Sequence, residues 1–300
     1  MAHLRRRVVS LVANEGFQRL AQGGGLLPWA RPEYHNVRRV EDLVYGPLPE
    51  HRVDLYLPPG QGPHPVVVYF HGGGFRALSR KTHWLMGLAF ARRGYACFLP
   101  DYRLAPAHPF PAAAVDACMA TRWIWEHCSE HEGSRSTFVL SGESAGANLA
   151  VVAALAACTE RPEPYARMDR VRPSALVPFC GLLQTSEPER YRGRVRFYEQ
   201  DVISHTCESY NPAPEAGLAD PLLLVEGATA LPWWPRTFVP WGDADPIAAD
   251  SARLARALAT IGVEVTGRSY AGMPHAFHAF VWRKAALRCW ADVFDFLEAG

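Results

Sequence analysis

From residue 65 onward the chain alternates between strand-like and helix-like segments, and this alternation constrains the fold more than any other feature. Residues Pro65–Phe70 (PVVVYF) form a continuous β-branched and aromatic run, which suits a strand covered on both faces. Further strands are predicted at YACFLP, STFVLS, ALVPF, RTFVPW and VEVTGRSY. Helical patterns are predicted over His83–Arg92, Ala112–His131, Ala145–Cys158, Ala248–Ile261 and Trp282–Ala299. This order predicts an α/β fold with a mostly parallel central sheet and helices on both faces.

Three other parts of the chain differ from this alternation. The segments VEDLVYG and HRVDLYLP alternate apolar and polar residues, which is typical of half-buried antiparallel strands. The first 35 or so residues contain one helical pattern, from Val8 to Leu20, followed by a stretch rich in Gly and Pro. Residues 184–232 have only weak helical signals, and so long an excursion within a compact fold is usually a lid or a binding loop.

The composition excludes several classes of protein. A formal net charge of +1 across 300 residues gives no electrostatic footprint for nucleic acid. The seven cysteines are scattered without a CxxC pair, so neither a zinc site nor a disulfide framework is expected. The apolar run after Arg7 is shorter than the roughly 7–15 residues of a signal peptide, and no stretch approaches the ~20 apolar residues of a membrane span. We therefore expect a cytoplasmic chain with no membrane span.

The strongest local signal is Gly142-Glu-Ser144-Ala-Gly146, which matches G-x-S-x-G. An apolar strand precedes the motif and a helix of small residues follows it, which is the strand–turn–helix setting that this motif requires. The turn would lift the Ser144 hydroxyl above the sheet edge, next to a helix N-terminus. A plain glycine-rich turn is the alternative interpretation.

A second glycine-rich stretch, HGGGF, follows the PVVVYF strand directly. Consecutive glycines let backbone N–H groups converge on one point, as an oxyanion requires. The stretch could also be a flexible turn or a phosphate cradle, but the Gly-Lys-Ser/Thr of a P-loop is missing. His71 is expected to be structural.

A nucleophilic serine needs a base and an orienting acid, which follow the serine in the order Asp/Glu, then His, on this kind of fold. After RTFVPW come Asp243 and Asp245, and the motif alone does not choose between them. After VEVTGRSY come His275 and His278. The last strand is predicted to end near Tyr270, which places His275 in the loop above the strand and His278 about one turn further on. His278 is therefore expected to point away from Ser144 and to serve packing or a local hydrogen bond.

Together the stretches HGGGF, DYRLAPAHPFPAA, GESAGAN, DADPI and GMPHAF resemble the hormone-sensitive-lipase-like branch of the α/β-hydrolase esterases. The resemblance implies a Ser144–Asp245–His275 triad, with Asp243 as a bystander. It also implies that oxyanion amides come from Gly73, Gly74 and Ala145. Three residues depart from the family pattern, at positions where Asp, Gly and Gly respectively are common: Glu143, Ala147 and Ala276. These departures bear on substrate preference more than on activity.

The resemblance further implies one α/β-hydrolase domain over residues 1–300, with cap elements at approximately 1–35 and 185–225. The expected function is hydrolysis of carboxylic esters through an acyl-enzyme, without cofactor or metal. The expected partner is a small, water-soluble ester of short to medium acyl length, because no large amphipathic segment is evident. A homodimer through an edge strand is compatible with the family. Two alternatives remain: an amidase or arylformamidase-like hydrolase with the same triad, and a non-catalytic ligand-binding protein on this fold.

Overall fold

Eight strands form one sheet in the computed structural model, which describes residues 23–25, 27–213 and 217–299. The strands are β1 (Arg38–Val44), β2 (Arg52–Leu57), β3 (His64–Phe70), β4 (Ala96–Pro100), β5 (Gly133–Glu143), β6 (Ala175–Phe179), β7 (Arg236–Gly242) and β8 (Val265–Tyr270). Their spatial order is β1-β2-β4-β3-β5-β6-β7-β8. Strand β2 pairs antiparallel with β1 and β4, and every other neighbouring pair is parallel. The predicted mostly parallel sheet is confirmed.

Helices cover both faces of this sheet. They are α1 (Trp84–Ala91), α2 (Ala112–His127), α3 (Ala145–Cys158), α4 (Phe197–Tyr210), α5 (Pro221–Glu226), α6 (Ala248–Thr260) and α7 (Lys284–Glu298). Buried residues of α2, α3 and α6 share one hydrophobic core, and those of α1 and α7 share the other. Strand β3 contributes to both, since Val66 and Val68 lie in the first core and Val67 and Tyr69 in the second. This is why its sequence is a continuous apolar run.

Several details differ from the sequence-based expectations. Strand β1 is largely exposed and β2 is almost wholly buried, although both had been predicted to be half-buried. The alternation of apolar and polar residues gives the wrong burial here because β1 is an edge strand, whereas β2 lies between two neighbours. Strand β5 begins at Gly133, three residues before the predicted start, because Gly133 and Ser134 pair with β3. Helix α7 begins at Lys284, after the predicted Trp282.

The topology brings the chemistry-bearing loops to one edge. Strands β3, β5, β7 and β8 run parallel to one another through the sheet, so their carboxyl ends share that edge. The HGGGF loop follows β3 at Phe70, Ser144 follows β5, Asp245 follows β7 and His275 follows β8. Crevices at such edges are where open α/β sheets bind their ligands.

The long excursion after β6 contains α4 and α5 as well as a short 3-10 helix at Pro188–Tyr191. The helical pattern predicted over Val8–Leu20 lies outside the described residues. Within the ranges that the structure covers, no helix is both long and apolar enough to cross a membrane.

Candidate active site

Ser144 occupies a sharp turn between the last residue of β5 and the first of α3. Its backbone angles are φ 55° and ψ −115°, a conformation that is strained for a residue with a side chain. The flanking glycines make the turn sterically feasible, because a Cβ on Gly146 would lie 2.0 Å from the Phe70 carbonyl oxygen and one on Gly142 2.4 Å from the Gly146 oxygen. The Ser144 amide donates to the Phe179 carbonyl oxygen at 3.0 Å. The turn has the form of a nucleophile elbow.

His275 and Asp245 form a direct hydrogen-bonded pair. His275 Nδ1 lies 2.8 Å from Asp245 Oδ2, and the Asp245 side chain is fully buried. The other carboxylate oxygen accepts the Ile247 amide N–H at 2.9 Å, which fixes the orientation of the acid. Burial acts to lower the pKa of His275, but the Asp245 carboxylate outweighs it and the pKa is raised above the ordinary 6.5. With Nδ1 bound to Asp245, Nε2 is the nitrogen left to act as a base.

The neighbouring acid and histidine have other partners. Asp243 is exposed, and its Oδ1 accepts the Gly272 amide N–H at 2.6 Å. His278 is 1% exposed, stacks on Phe179 with ring centroids 4.4 Å apart, and places Nε2 2.6 Å from Glu143 Oε2. The predicted packing role of His278 is confirmed, but its polar contact is with a distant segment rather than a local one.

Buried contacts around His71 support the HGGGF loop. Gly73 and Gly74 have φ of 110° and 60°, which residues with a Cβ rarely adopt. His71 is buried and stacks on Tyr102 with centroids 4.2 Å apart, and the Tyr102 hydroxyl donates to the His71 carbonyl oxygen at 2.8 Å. Burial, with His83 nearby, lowers the pKa of His71 to about 3, so His71 stays neutral. Its role is structural, as expected.

A cavity of about 370 Å³ joins these elements. Ser144, His275, Gly73 and Gly74 all lie on its wall, whereas Ala145 is buried at the N-terminus of α3. The remaining wall is mainly apolar and includes Leu78, Leu182, Val202, Ile203 and Ile247. A larger cavity of about 1010 Å³ adjoins this inner cavity and shares Tyr198, Glu199 and Pro246 with it. The volume of the inner cavity suits a small ligand.

Cys180 is a neighbour of the acid–base pair that the sequence did not indicate. Its thiol, an Asp245 oxygen and a His275 nitrogen lie within 4.8 Å of one another, a grouping that could in principle hold a metal ion. However, burial and the carboxylates of Asp245 and Glu143 raise the pKa of the Cys180 thiol well above its ordinary value. A protonated thiol is a poor metal ligand, and Asp245 already occupies His275 Nδ1. The donor set therefore fits an acid–base pair better than a metal centre.

Sequence reasoning also missed the surroundings of Glu143. Its carboxylate contacts His83, His278 and Tyr69. The only signal was that Glu143 fills the variable position of G-x-S-x-G, where the resembling family often has Asp.

Comparison with known proteins agrees with this geometry. A family model described as alpha/beta hydrolase fold matches residues 67–279. Carboxylesterase NlhH of Mycobacterium tuberculosis is 30% identical over 257 residues, covering 83% of this chain and 78% of that protein. Esterase LipI of the same organism is 36% identical over 148 residues, covering 48% of this chain and 46% of that protein.

Solved structures share the fold. Esterase LipW from Mycobacterium marinum superposes with a TM-score of 0.79 at 23% identity, covering 96% of this chain and 88% of that one. A hormone-sensitive lipase from a metagenome library gives a TM-score of 0.75 at 23% identity, covering 96% and 91% respectively. The chain therefore belongs to the α/β-hydrolase fold family. The resemblance to its hormone-sensitive-lipase-like esterases, predicted from the motifs, is confirmed.

Proposed function

We propose that this protein is a carboxylic ester hydrolase in which Ser144, His275 and Asp245 are the nucleophile, base and acid. The observation that carries the proposal is His275, which lies 2.8 Å from Asp245 and lines the same cavity as a serine held in a strained elbow. The family membership and the 30% identity to a carboxylesterase support the choice of an ester as the substrate.

The residues then have the following roles. His275 Nε2 takes the proton of the Ser144 hydroxyl while the oxygen attacks the ester carbonyl carbon. The carbonyl oxygen becomes an oxyanion, which the amides of Gly73, Gly74 and Ala145 are proposed to stabilise. His275 then protonates the departing alkoxide, and the alcohol leaves an acyl group on Ser144. Water, deprotonated by His275, releases the carboxylic acid and restores the serine.

The cavity supports esters of short to medium acyl length. Its apolar wall and its volume of about 370 Å³ favour a short hydrocarbon chain over a triglyceride. Residues of α4 form one side of this cavity, among them Val202, Ile203 and Thr206. This arrangement supports the proposal that residues 185–225 act as a cap over the α/β domain; the other proposed cap element, residues 1–35, lies mostly outside the described part.

Substitution of the triad tests the function. Ser144→Ala and His275→Ala should each lower kcat for p-nitrophenyl butyrate by about 10⁴- to 10⁶-fold, since the triad acts as a unit. His278→Ala is the matched control for the base and should keep far more activity, because its ring contacts Glu143 rather than Asp245. Near-normal hydrolysis by Ser144→Ala would refute the proposal.

Two further expectations accompany this function. Rates on a matched ester and anilide would distinguish an esterase from the amidase alternative, and the ester should be hydrolysed faster. A fluorophosphonate probe should label Ser144, whereas the non-catalytic alternative predicts no labelling.

We also propose that the protein is located in the cytoplasm and that it forms a homodimer. All seven cysteines are free, which supports a reducing compartment. Strand β8 forms one edge of the sheet and is largely exposed, so it offers a surface for a second copy. Light scattering of the purified protein would establish the oligomeric state.

A further inference from the structure

A buried carboxylate lies directly before the nucleophile. Glu143 ends β5 and is 3% exposed. Three side chains from different segments contact its two oxygens: His83 Nε2 lies 2.9 Å from Oε1, His278 Nε2 lies 2.6 Å from Oε2, and the Tyr69 hydroxyl donates to Oε2 at 3.3 Å. A carboxylate removed from water is tolerated only when such donors surround it. Glu143 therefore holds these three segments together through one charged group.

One side of this cluster is the HGGGF loop, residues 71–75, which is called the oxyanion loop below. The Gly72 amide nitrogen lies 3.2 Å from His83 Nε2, and a Cβ on Gly72 would lie 3.0 Å from Glu143 Oε1. The other ring nitrogen of His83 lies 3.1 Å from the Ser79 carbonyl oxygen, which fixes the plane of the ring. One ring nitrogen cannot both donate to Glu143 and accept the Gly72 N–H, so the carboxylate and the peptide share the same edge of the His83 ring. The peptide that begins the glycine loop therefore lies against both His83 and Glu143, and the next two residues carry the proposed oxyanion amides.

The other side of the cluster is the base loop, residues 271–279, which carries His275. His278 belongs to the 3-10 turn Phe277–Ala279, which begins two residues after His275. Its Nδ1 is buried with no hydrogen-bond partner among the described atoms, so the ring joins the cluster through Nε2, which donates to Glu143. The Trp290 indole N–H donates to the His278 carbonyl oxygen at 3.0 Å. Glu143 thereby connects the base loop to the strand that carries the nucleophile.

We propose that Glu143 is a positioning residue for ester hydrolysis: by holding His83 and His278 it fixes the oxyanion loop and the base loop on either side of Ser144. This inference rests on the function proposed above. Glu143 acts through these neighbours and is assigned no contact with the reacting atoms. The competing interpretation is that the cluster only stabilises the core.

The charge of Glu143 provides a readout that separates the two interpretations. Although burial acts to raise it, the contacts with His83 and His278 hold the pKa of Glu143 well below its ordinary value, so the carboxylate stays charged. Burial lowers the pKa of His275, but Asp245 raises it and Glu143 adds to that effect. The other titratable groups that face this region are the Cys180 thiol, His71 beside His83, and Tyr198 and Glu199 on the wall of the cavity, which Glu143 itself also lines. Neutralising Glu143 should therefore make the imidazolium of His275 less stable.

Glu143→Gln tests the proposal with a residue of the same size and no charge. We expect kcat to fall by about 10- to 100-fold, as for other supporting residues of active sites, with KM changed by less than about threefold. The midpoint of the acid limb of kcat/KM should move to lower pH. Glu143→Asp keeps the charge and should restore the midpoint and part of kcat.

A matched control is available elsewhere in the fold. His51→Gln breaks another buried imidazole–carboxylate pair, in which His51 Nε2 lies 3.1 Å from Asp116 Oδ1. This variant should lose stability but keep the wild-type kcat and pH midpoint, because the described contacts of the His51 ring are with Asp116, Tyr45 and the Leu48 amide and not with the loops around Ser144. If His51→Gln lowered kcat as strongly as Glu143→Gln, the effect would be general destabilisation and the proposal would fail.

Two other results would overturn the proposal. One is a Glu143→Gln variant with wild-type kcat and midpoint. The other is a loss of kcat with an unchanged midpoint and no rescue by Glu143→Asp, which would indicate core support alone. If Glu143→Gln does not fold, His278→Phe serves instead, since it keeps an aromatic ring on Phe179 but removes the Nε2 donor. It should lower kcat at unchanged KM, and wild-type kcat in this variant would also refute the proposal.

Failure of this inference is distinguishable from failure of the proposed function. A wild-type protein that hydrolyses no ester, or a Ser144→Ala variant that still does, would overturn the function itself. An active wild type whose rate is insensitive to Glu143 would overturn only the positioning role.

Discussion

At the residue scale, the decisive feature is the environment of His275. The ring lies on the cavity wall, one nitrogen is bound to Asp245, and two further titratable groups, Glu143 and Cys180, lie nearby. Because the Cys180 thiol stays protonated, the negative charge that faces the ring comes from carboxylates. This environment favours the imidazolium, which is the form that His275 adopts midway through the reaction proposed above.

The pH profile of the wild-type protein follows from this environment. The pKa of His275 is raised above 6.5, and only the neutral ring can accept the Ser144 proton. The rate is therefore lost as the pH falls through that pKa, and kcat/KM should rise with pH through a midpoint above 6.5. The measurement is kcat/KM for p-nitrophenyl butyrate across pH, read at a wavelength insensitive to ionisation of the product. A midpoint below 6.5 would contradict the assignment of His275 as the base.

The two aspartates of the DADPI stretch should differ sharply. Asp245→Asn removes the charge that stabilises and orients the imidazolium, so kcat should fall by about 10⁴-fold. Asp243→Asn affects an exposed side chain whose bond is with the Gly272 amide, so kcat should stay within about threefold of wild type. Steady-state kinetics of the two variants would check this, and equal losses would mean that the acid has been misassigned.

At the scale of elements, the site depends on the close approach of α3 to β3. The backbone of the helix touches the Phe70 carbonyl oxygen so closely that only glycine fits at position 146. Gly146→Ala should therefore destabilise the fold by more than about 3 kcal/mol. Gly60→Ala is a suitable control, because Gly60 has φ 99° with open space around it, so only backbone strain of about 1 kcal/mol is added. Urea unfolding would measure both, and equal effects would show that the contact with Phe70 is relieved at little cost.

The parts that could be predicted from sequence are those with local signals. The strands and helices from β3 onward follow from apolar runs and periodicity, and Ser144 follows from a motif in its strand–turn–helix setting. The surroundings of Glu143 could not be predicted, because Tyr69 and His83 precede it by 74 and 60 residues and no periodicity links them. The predicted burial of β1 and β2 was also wrong, since the exposure of a strand depends on whether it has neighbours on both sides and not on its own sequence alone.

At the scale of the whole molecule, residues of α4 form part of the wall of the inner cavity. Ile203 is 7% exposed and lies on the cavity wall, so Ile203→Ala should lengthen the space for the acyl chain. The ratio of kcat/KM for long over short p-nitrophenyl esters should rise by roughly fourfold for each methylene that enters the new space. An acyl-length series would measure this. Leu287→Ala, on the exposed side of α7, should leave the ratio unchanged, and an unchanged ratio in Ile203→Ala would mean that the chain binds elsewhere.

Helix α4 also packs against the oxyanion loop. Tyr210, at its end, stacks on Phe75 with ring centroids 3.6 Å apart and planes 7° apart, and Thr206 lies against Gly74. An acyl group too large for the cavity would push on the same helix that supports the loop proposed to donate to the oxyanion. Poor fit would then slow the chemical step as well as weaken binding. Discrimination between acyl chains should accordingly appear in the turnover number, so that an ill-fitting ester would still be a slow substrate at saturating concentration.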